Sequence, residues 1–196
     1  MPDVAGGARR ILGITGAPGV GKTTYALTQV AASGTLAAYV PMDGFHLADV
    51  SLTALGRLDR KGAPDTFDAW GYAALLRRLR DERDHDVYAP GFERDLEQPI
   101  AGALAVPPEA DLVVTEGNYL LLDRPEWRAV REQLDEVVHL VTDDDVRRRR
   151  LVARHVEFGK TPAEAEAWVA RVDDPNAALV EAAAHRADRV VELSAG

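Results

Sequence analysis

Near the start of the chain, Gly16-Ala17-Pro18-Gly19-Val20-Gly21-Lys22-Thr23 matches G-x-x-x-x-G-K-[ST] at every fixed position. That spacing suits phosphate. Glycines let backbone N–H groups converge on one oxyanion, and a helix opening at the motif aims the positive end of its dipole at the same point. Lys22 would reach the β and γ phosphates, and the hydroxyl of Thr23 would ligate Mg²⁺, with Thr24 closing the nucleotide-binding stretch. ATP and Mg²⁺ are the cofactors this chemistry asks for. The chain has neither the Asn-Lys-x-Asp run of guanine-specific switches nor the Ser-Gly-Gly-Gln run of transporter ATPases, which leaves an adenine nucleotide by elimination.

Two carboxylates stand where such a loop could use them. Asp43, in Pro41-Met42-Asp43-Gly44-Phe45-His46, follows a strand-like run, and strand carboxyl ends flank the ligand crevice of a doubly wound sheet. A carboxylate there could take the proton of an attacking alcohol, an effect of roughly 10²- to 10⁴-fold in rate. Asp-Gly is also a common turn pair, and His46 could serve as the base instead. Glu116 ends the run Asp111-Leu112-Val113-Val114-Thr115-Glu116, where this kind of fold holds Mg²⁺ and its waters, here with Glu in place of the usual Asp. Asp111 lies at the opposite end of that strand and reads as structural.

The run Arg147-Arg148-Arg149-Arg150 follows Asp143-Asp144-Asp145, an acidic stretch suited to a helix start. Arg147, Arg150 and Arg154 share one helix face. Arg150 and Arg154 could close over a transferring phosphate; the alternative is a surface ion-pair face. The only lysines are Lys22, Lys61 and Lys160, each beside a glycine. Lysine is a compact point charge that suits phosphate, which accounts for Lys22 and suggests the same use for Lys61 and Lys160.

These groups need a scaffold, and periodicity supplies one. Strand-length apolar runs at Ile11 to Thr15, Leu36 to Met42, Leu112 to Thr115, Val137 to Val141 and Arg189 to Leu193 alternate with helical patterns. The helices are expected from Gly21 to about Ala32 and over Trp70 to Arg83, Arg124 to Leu134, Asp144 to Phe158, Pro162 to Val172 and Pro175 to Ala187. Alternation of this kind implies a parallel sheet covered on both faces. Ala48 to Phe67 and Tyr88 to Pro108 are expected to be loops around the site. Trp70, Trp127, Trp168 and His139 are expected in the core, and Asp174-Pro175-Asn176 as a helix start.

With 196 residues there is room for one domain, 1–196, in which about 144–172 form a small helical lid. The absence of cysteine excludes a disulfide scaffold, a thiolate zinc site and a cysteine nucleophile. A formal net charge of -9 argues against a general nucleic-acid partner. No apolar run approaches the roughly 18 residues of a membrane span, so a soluble, cytoplasmic protein without membrane partners is expected.

Longer stretches carry a resemblance. GAPGVGKTT, PMDGFHL, RKGAPDTFD (Arg60 to Asp68), VYAPGFER (Val87 to Arg94), VTEGNYLLLD (Val114 to Asp123), RLVARHVEFGKTPAEA and DDPNAALV resemble the phosphoribulokinase/uridine kinase family of P-loop kinases, which includes bacterial pantothenate kinase. Within it they look like the bacterial branch named fructose transport system kinase or nucleoside/nucleotide kinase-like protein. The resemblance implies a P-loop NTPase fold of α/β class, and Mg-ATP-dependent phosphorylation of a hydroxyl on a sugar, nucleoside or pantothenate-like small molecule. It implies Asp43 as the catalytic carboxylate, Glu116 as the acid near Mg²⁺, and Arg150 and Arg154 as lid arginines. Asp68, Tyr88 and Arg94 become the leading acceptor contacts, with His46, Lys61, Asn118 and Tyr119 nearby. A homodimer is the assembly such relatives suggest. The alternative is a nucleotide-dependent switch or regulatory ATPase without a small acceptor, which needs only the phosphate loop and Glu116.

Overall fold

The structure, a computed structural model, describes residues 8–194. Its sheet is built from β1 (Arg10–Gly16), β2 (Ala37–Pro41), β5 (Leu112–Glu116), β6 (Glu136–Val141) and β7 (Arg189–Glu192), all parallel, in the order β2-β5-β1-β6-β7. Successive residues of a strand point to opposite faces, so a run apolar at every position must be covered on both. Ile11, Val113 and Val137 enter one buried cluster with Tyr72, Leu76, Trp127 and Val130; Ile14, Val114, Val138 and Leu140 enter a second with Val20 and Ala26. The first cluster is supplied by α3 (Ala69–Asp81), α4 (Pro125–Arg131) and α7 (Asp174–Ala182), and the second by α1 (Lys22–Ala32). This is the P-loop NTPase α/β fold.

Register places the site. Ile14 and Pro41 both lie opposite Glu116, and Gly16 lies opposite Leu140, so the carboxyl ends of β1, β2, β5 and β6 reach one edge together. Strand order reverses about β1: the chain goes from β1 to β2 on one side and from β5 to β6 across the other, and ligands bind at such a point.

Local chemistry sets the helix starts. Asp68 caps α3 by accepting from the Gly71 amide at 2.8 Å, and Asp143 caps α5 (Asp144–Glu157) by accepting from Val146 at 3.1 Å. Thr161 and Glu164 form a capping box at α6 (Pro162–Trp168). α6 and α7 are not separate helices with a free start at Asp174. A π-helical segment, Val169–Asp173, joins them, and Pro175 sits in the first turn of α7 behind it.

Three further expectations need correction. Tyr88 to Pro108 is not loop: β3 (Val87–Glu93) and β4 (Gln98–Val106) form an antiparallel hairpin. Pro90 and Gly91, which argue against a strand, sit where the register shifts between Ala89 and Gly91, the kind of irregularity that tolerates them. Ala48 to Phe67 holds a short helix, α2 (Asp49–Ala54), and two single 3₁₀ turns. Trp127 and His139 are fully buried, but Trp70 is 60% exposed, on the face of α3 opposite Tyr72 and Leu76, and Trp168 is only half-buried. Among the described residues, no helix is long and apolar enough to cross a membrane.

Candidate active site

The turn from β1 to α1 wraps around the Lys22 side chain. Gly19 and Gly21 have φ of 82° and 107°, a left-handed region open to glycine, and a Cβ on Gly19 would lie 2.8 Å from the Arg147 carbonyl oxygen. Lys22 is buried, and its Nζ donates to the carbonyls of Gly16 and Ala17 at 3.1 Å each. Burial drives the Lys22 ammonium down to about 8, although Glu116 and Asp43 oppose the shift. A dianionic phosphate placed before the loop would reverse that shift by restoring a counter-charge.

Glu116 lies beside the start of α1. Its Oε1 accepts from Thr23 Oγ1 at 3.0 Å and from the Tyr39 hydroxyl at 2.8 Å. Burial and the nearby Asp43 carboxylate push the Glu116 carboxyl up, while Lys22 and the two hydroxyls pull it back. A cation here would relieve both causes. Thr23 and Glu116 offer a hydroxyl and a carboxylate oxygen at the mouth of the phosphate loop, a hard-oxygen pair of the type Mg²⁺ takes together with phosphate oxygens and water. The residues fit the ion.

Asp43 stands on a 3₁₀ turn, Met42–Phe45, directly after β2. Its Oδ2 accepts from Arg94 Nη2 at 2.9 Å, which brings the β3–β4 hairpin to the carboxylate. Burial pushes the Asp43 carboxyl up, but the charge that His46 carries when protonated and the charges of Arg94, Lys22 and Arg154 outweigh it and hold it below the usual carboxylate range. Burial pushes the His46 imidazole down, against the Asp43 carboxylate and backbone carbonyl, which pull it up. The close seat of this turn shows in two glycines: a Cβ on Gly117 would meet the Met42 side chain, and a Cβ on Gly44 would meet the Pro90 carbonyl.

All of this faces one cleft of about 530 Å³. Its floor is Pro18, Gly19 and Gly21 to Thr24 with Glu116 and Asn118. One wall carries Asp43, His46, Lys61, Phe67, Phe92 and Arg94; the other, from α5 to α7, carries Arg150, Arg154, His155, Lys160, Trp168 and Asp173. All three lysines of the chain therefore line it. Lys61 is bound by Asp49 at 2.6 Å and by the Glu97 carbonyl, which ties α2 to the hairpin turn. Arg147 does not line the cleft: it is buried, holds Asp144 and Asp174, and reaches the Pro18 carbonyl at 3.4 Å, docking α5 on the back of the phosphate loop. Arg150 reaches the Val20 carbonyl at 3.4 Å from the cleft side.

Two expected acceptor contacts are not brought to the cleft. Asp68 is consumed as the cap of α3, and Tyr88 is 59% exposed on the outer face of β3, alternate to buried Val87 and Ala89. Ala17 and Val20 are buried within the loop, and Gly16 lies behind it against Leu140. Tyr119 is buried, packs edge-on against Phe67 and tilted against Trp127, and donates to the Gly62 carbonyl, so it braces the wall from behind. Sequence reasoning gave no site role to Tyr39, Asp49, Phe92, His155, Trp168 or Asp173, and it assigned Trp168 to the core. Only the last three had a usable signal, the Lys160 neighbourhood and the Asp-Asp-Pro-Asn stretch; the aromatic ring of Trp168 carries Lys160 and Arg171 at 4.9 and 5.1 Å.

A model of the phosphoribulokinase/uridine kinase family matches residues 11–194. The chain is 34% identical over 191 residues to the uncharacterized protein YggC of Escherichia coli strain K12, across 95% of this chain and 78% of that one. The Aspergillus versicolor ATP-dependent kinase-like protein notR' is 35% identical over 133 residues, across 64% of this chain and 77% of that one. A crystal structure described as a "putative fructose transport system kinase" from Silicibacter sp. TM1040 superposes with a TM-score of 0.87 at 38% identity, covering 96% of this chain and 92% of that one.

Proposed function

The chain belongs to the phosphoribulokinase/uridine kinase family, and from that premise we propose that it transfers the γ-phosphoryl group of Mg-ATP to a hydroxyl of a sugar, nucleoside or pantothenate-like molecule. That it is a P-loop kinase of small-molecule substrates follows from the family itself. The observation that carries the finer reading is the position of Asp43: an ionised, cleft-lining carboxylate within electrostatic reach of both Lys22 and Arg154.

In this reading the loop amides and Lys22 cradle the β and γ phosphates, and Arg150 and Arg154 balance the charge of the group in transit. Thr23 and Glu116 would hold Mg²⁺, which when bound neutralises charge on the phosphate oxygens. Asp43 accepts the hydrogen bond of the acceptor hydroxyl and so aims its oxygen at the γ phosphorus. The new O–P bond forms as the bond to ADP breaks, and the hydroxyl proton passes to Asp43. A carboxylate held below its usual range is a weak base, so that proton moves late, after the oxygen has engaged a loose phosphoryl group. His46, Lys61, Arg94 and Asn118 contact the acceptor, and the helical segment 144–172 is the lid that excludes water.

The test is a mass-spectrometric search for a metabolite gaining one phosphoryl group when wild type or Asp43→Asn is given Mg-ATP with sugars, nucleosides and pantothenate. Wild type is expected to form one product class, and the variant to make it about 10²- to 10⁴-fold more slowly with unchanged ATP binding. Full activity in a folded Asp43→Asn protein removes the base role. ADP release that no acceptor stimulates favours a nucleotide-dependent switch.

A further inference from the structure

The helical segment over the cleft is firmly docked at its two ends and sparsely held between them. At one end Arg147 reaches the Pro18 carbonyl behind the phosphate loop, and Leu151, one turn on, is buried. At the other, the π-helical segment runs into α7, where Asp174 holds Arg147 at 3.1 Å and Arg148 at 3.0 Å and Val180 enters the main core. Between Val152 and Trp168 only Ala165 is buried, and it belongs to neither core cluster. Yet this tip carries Arg154, whose charge acts on both Lys22 and Asp43. The Arg154 guanidinium makes no hydrogen bond or ion pair among the described residues, so its place over the cleft is inherited from the backbone of α5.

The next residue supplies a fastening. His155 Nε2 lies 2.8 Å from Asp173 Oδ2. A carboxylate only accepts, so Nε2 carries the proton whether the ring is neutral or charged, and a donor to a carboxylate makes one of the stronger hydrogen bonds. Asp173 is buried at the end of the π-helical segment, beside the anchored Asp174. Among the described residues this is the only side-chain hydrogen bond from residues 152–168 to a residue outside that stretch. The imidazole also meets Trp168 edge-on at 6.3 Å between centroids, so the one bond ties both limbs of the tip to the body.

We propose that His155 is a positioning residue for phosphoryl transfer: by donating to Asp173 it fastens the tip and so holds Arg154 where the transferring group passes. This rests on the kinase reading above and names what secures its lid. A tip without the bond keeps both docked ends, so the fold and the phosphate cradle survive while the guanidinium wanders.

The experiment uses His155→Leu, His155→Gln, Arg154→Met and the double variant His155→Leu/Arg154→Met in the full chain. Glutamine places an amide donor close to where Nε2 stands; leucine fills the space without one. Hydrogen exchange of residues 152–168 is followed with Mg-ADP present, and kcat and the KM for ATP are measured with an acceptor from the panel above. In His155→Leu the tip amides are expected to exchange about tenfold faster, the size of one lost hydrogen bond to a charged group. Displacement of the guanidinium by about 1 Å should lower kcat on the order of 10²-fold, with the KM for ATP little changed because residues 16–24 keep their contacts. His155→Gln should restore both quantities most of the way. In the Arg154→Met background His155→Leu should cost little more, since the group that it positions is gone; a merely structural defect would lower kcat by the same factor in both backgrounds. Unchanged exchange in His155→Leu, no rescue by His155→Gln, or factors that multiply in the double variant each overturn the proposal. If no acceptor is phosphorylated, the kinase reading fails by itself, and exchange still decides the fastening: faster exchange reversed by His155→Gln supports it, and unchanged exchange overturns it.

Discussion

A single methyl group at Gly44 should separate the positioning of Asp43 from nucleotide binding. Gly44 has an ordinary backbone conformation, absent from the positive-φ set, so alanine there brings no torsional strain of its own. What it brings is contact: the added Cβ would lie 2.2 Å from the Pro90 carbonyl oxygen and 2.7 Å from the carbonyl carbon. Ordinary contact begins at 3.4 Å, so the turn and the hairpin must separate by about 1.2 Å, and both contact atoms are backbone, which cannot rotate away. Overpacking of this kind costs about 1–3 kcal/mol of stability. Asp43 and His46 ride on the displaced turn, and Arg94 on the hairpin that it leaves, so the carboxylate moves by about as much relative to the phosphate loop. A misplacement of about 1 Å at a reacting group costs on the order of 10²-fold in rate. We therefore expect Gly44→Ala to fold with a lowered Tm, to lose about 10²-fold in kcat, and to bind ATP as wild type does, since no atom of residues 16–24 is touched. Thermal denaturation, fluorescent-nucleotide titration and the phosphoryl-transfer assay read the three quantities separately. Gly56→Ala is the control: φ is 63° with nothing within 4 Å, so it should cost stability through the backbone alone and leave kcat intact. A Gly44→Ala enzyme with unchanged kcat would show that the turn does not set the rate by its position.

Other expectations are simpler. Arg9 is fully buried and donates to the carbonyls of Ala110, Leu79 and Pro107 at 2.7 Å and of Pro108 at 3.1 Å, so Arg9→Met should leave several oxygens unpaired and cost about 3–5 kcal/mol in chemical denaturation, with kcat unchanged in the folded fraction. Lys22 titrates near 8 in the free protein, and bound phosphate favours its charged form, so nucleotide binding should take up no proton at pH 7 and close to one at pH 9. Affinity should accordingly weaken about tenfold per pH unit above 8. Calorimetry in buffers of different ionisation enthalpy measures the uptake; a zero value at pH 9, or an equal one in Lys22→Met, contradicts the assignment.

Contiguous signals made part of this protein legible without coordinates. The phosphate loop is one uninterrupted motif whose conformation follows from its own glycines and the helix it opens. The five sheet strands and the main helices announce themselves by period, and the caps at Asp143 and Thr161 act on amides two or three residues away. Glu116 was readable because a strand end has a fixed place in such a sheet. The β3–β4 hairpin was not, because Pro90 and Gly91 oppose a strand locally and are tolerated only at an irregularity that the partner strand absorbs. Nor could local pattern separate Trp70 from Trp127, since both sit at helical spacing and the exposed face is settled by what packs on the helix. The pairing of Arg94 with Asp43, the hydroxyl of Tyr39 on Glu116, the anchoring of Arg9 and the turning of Trp168 toward the cleft all join segments remote in sequence. Their energy is realised only when the chain has already returned on itself, so residue types along the chain determined the phosphate chemistry, while tertiary packing alone decided which side chains face it across the cleft.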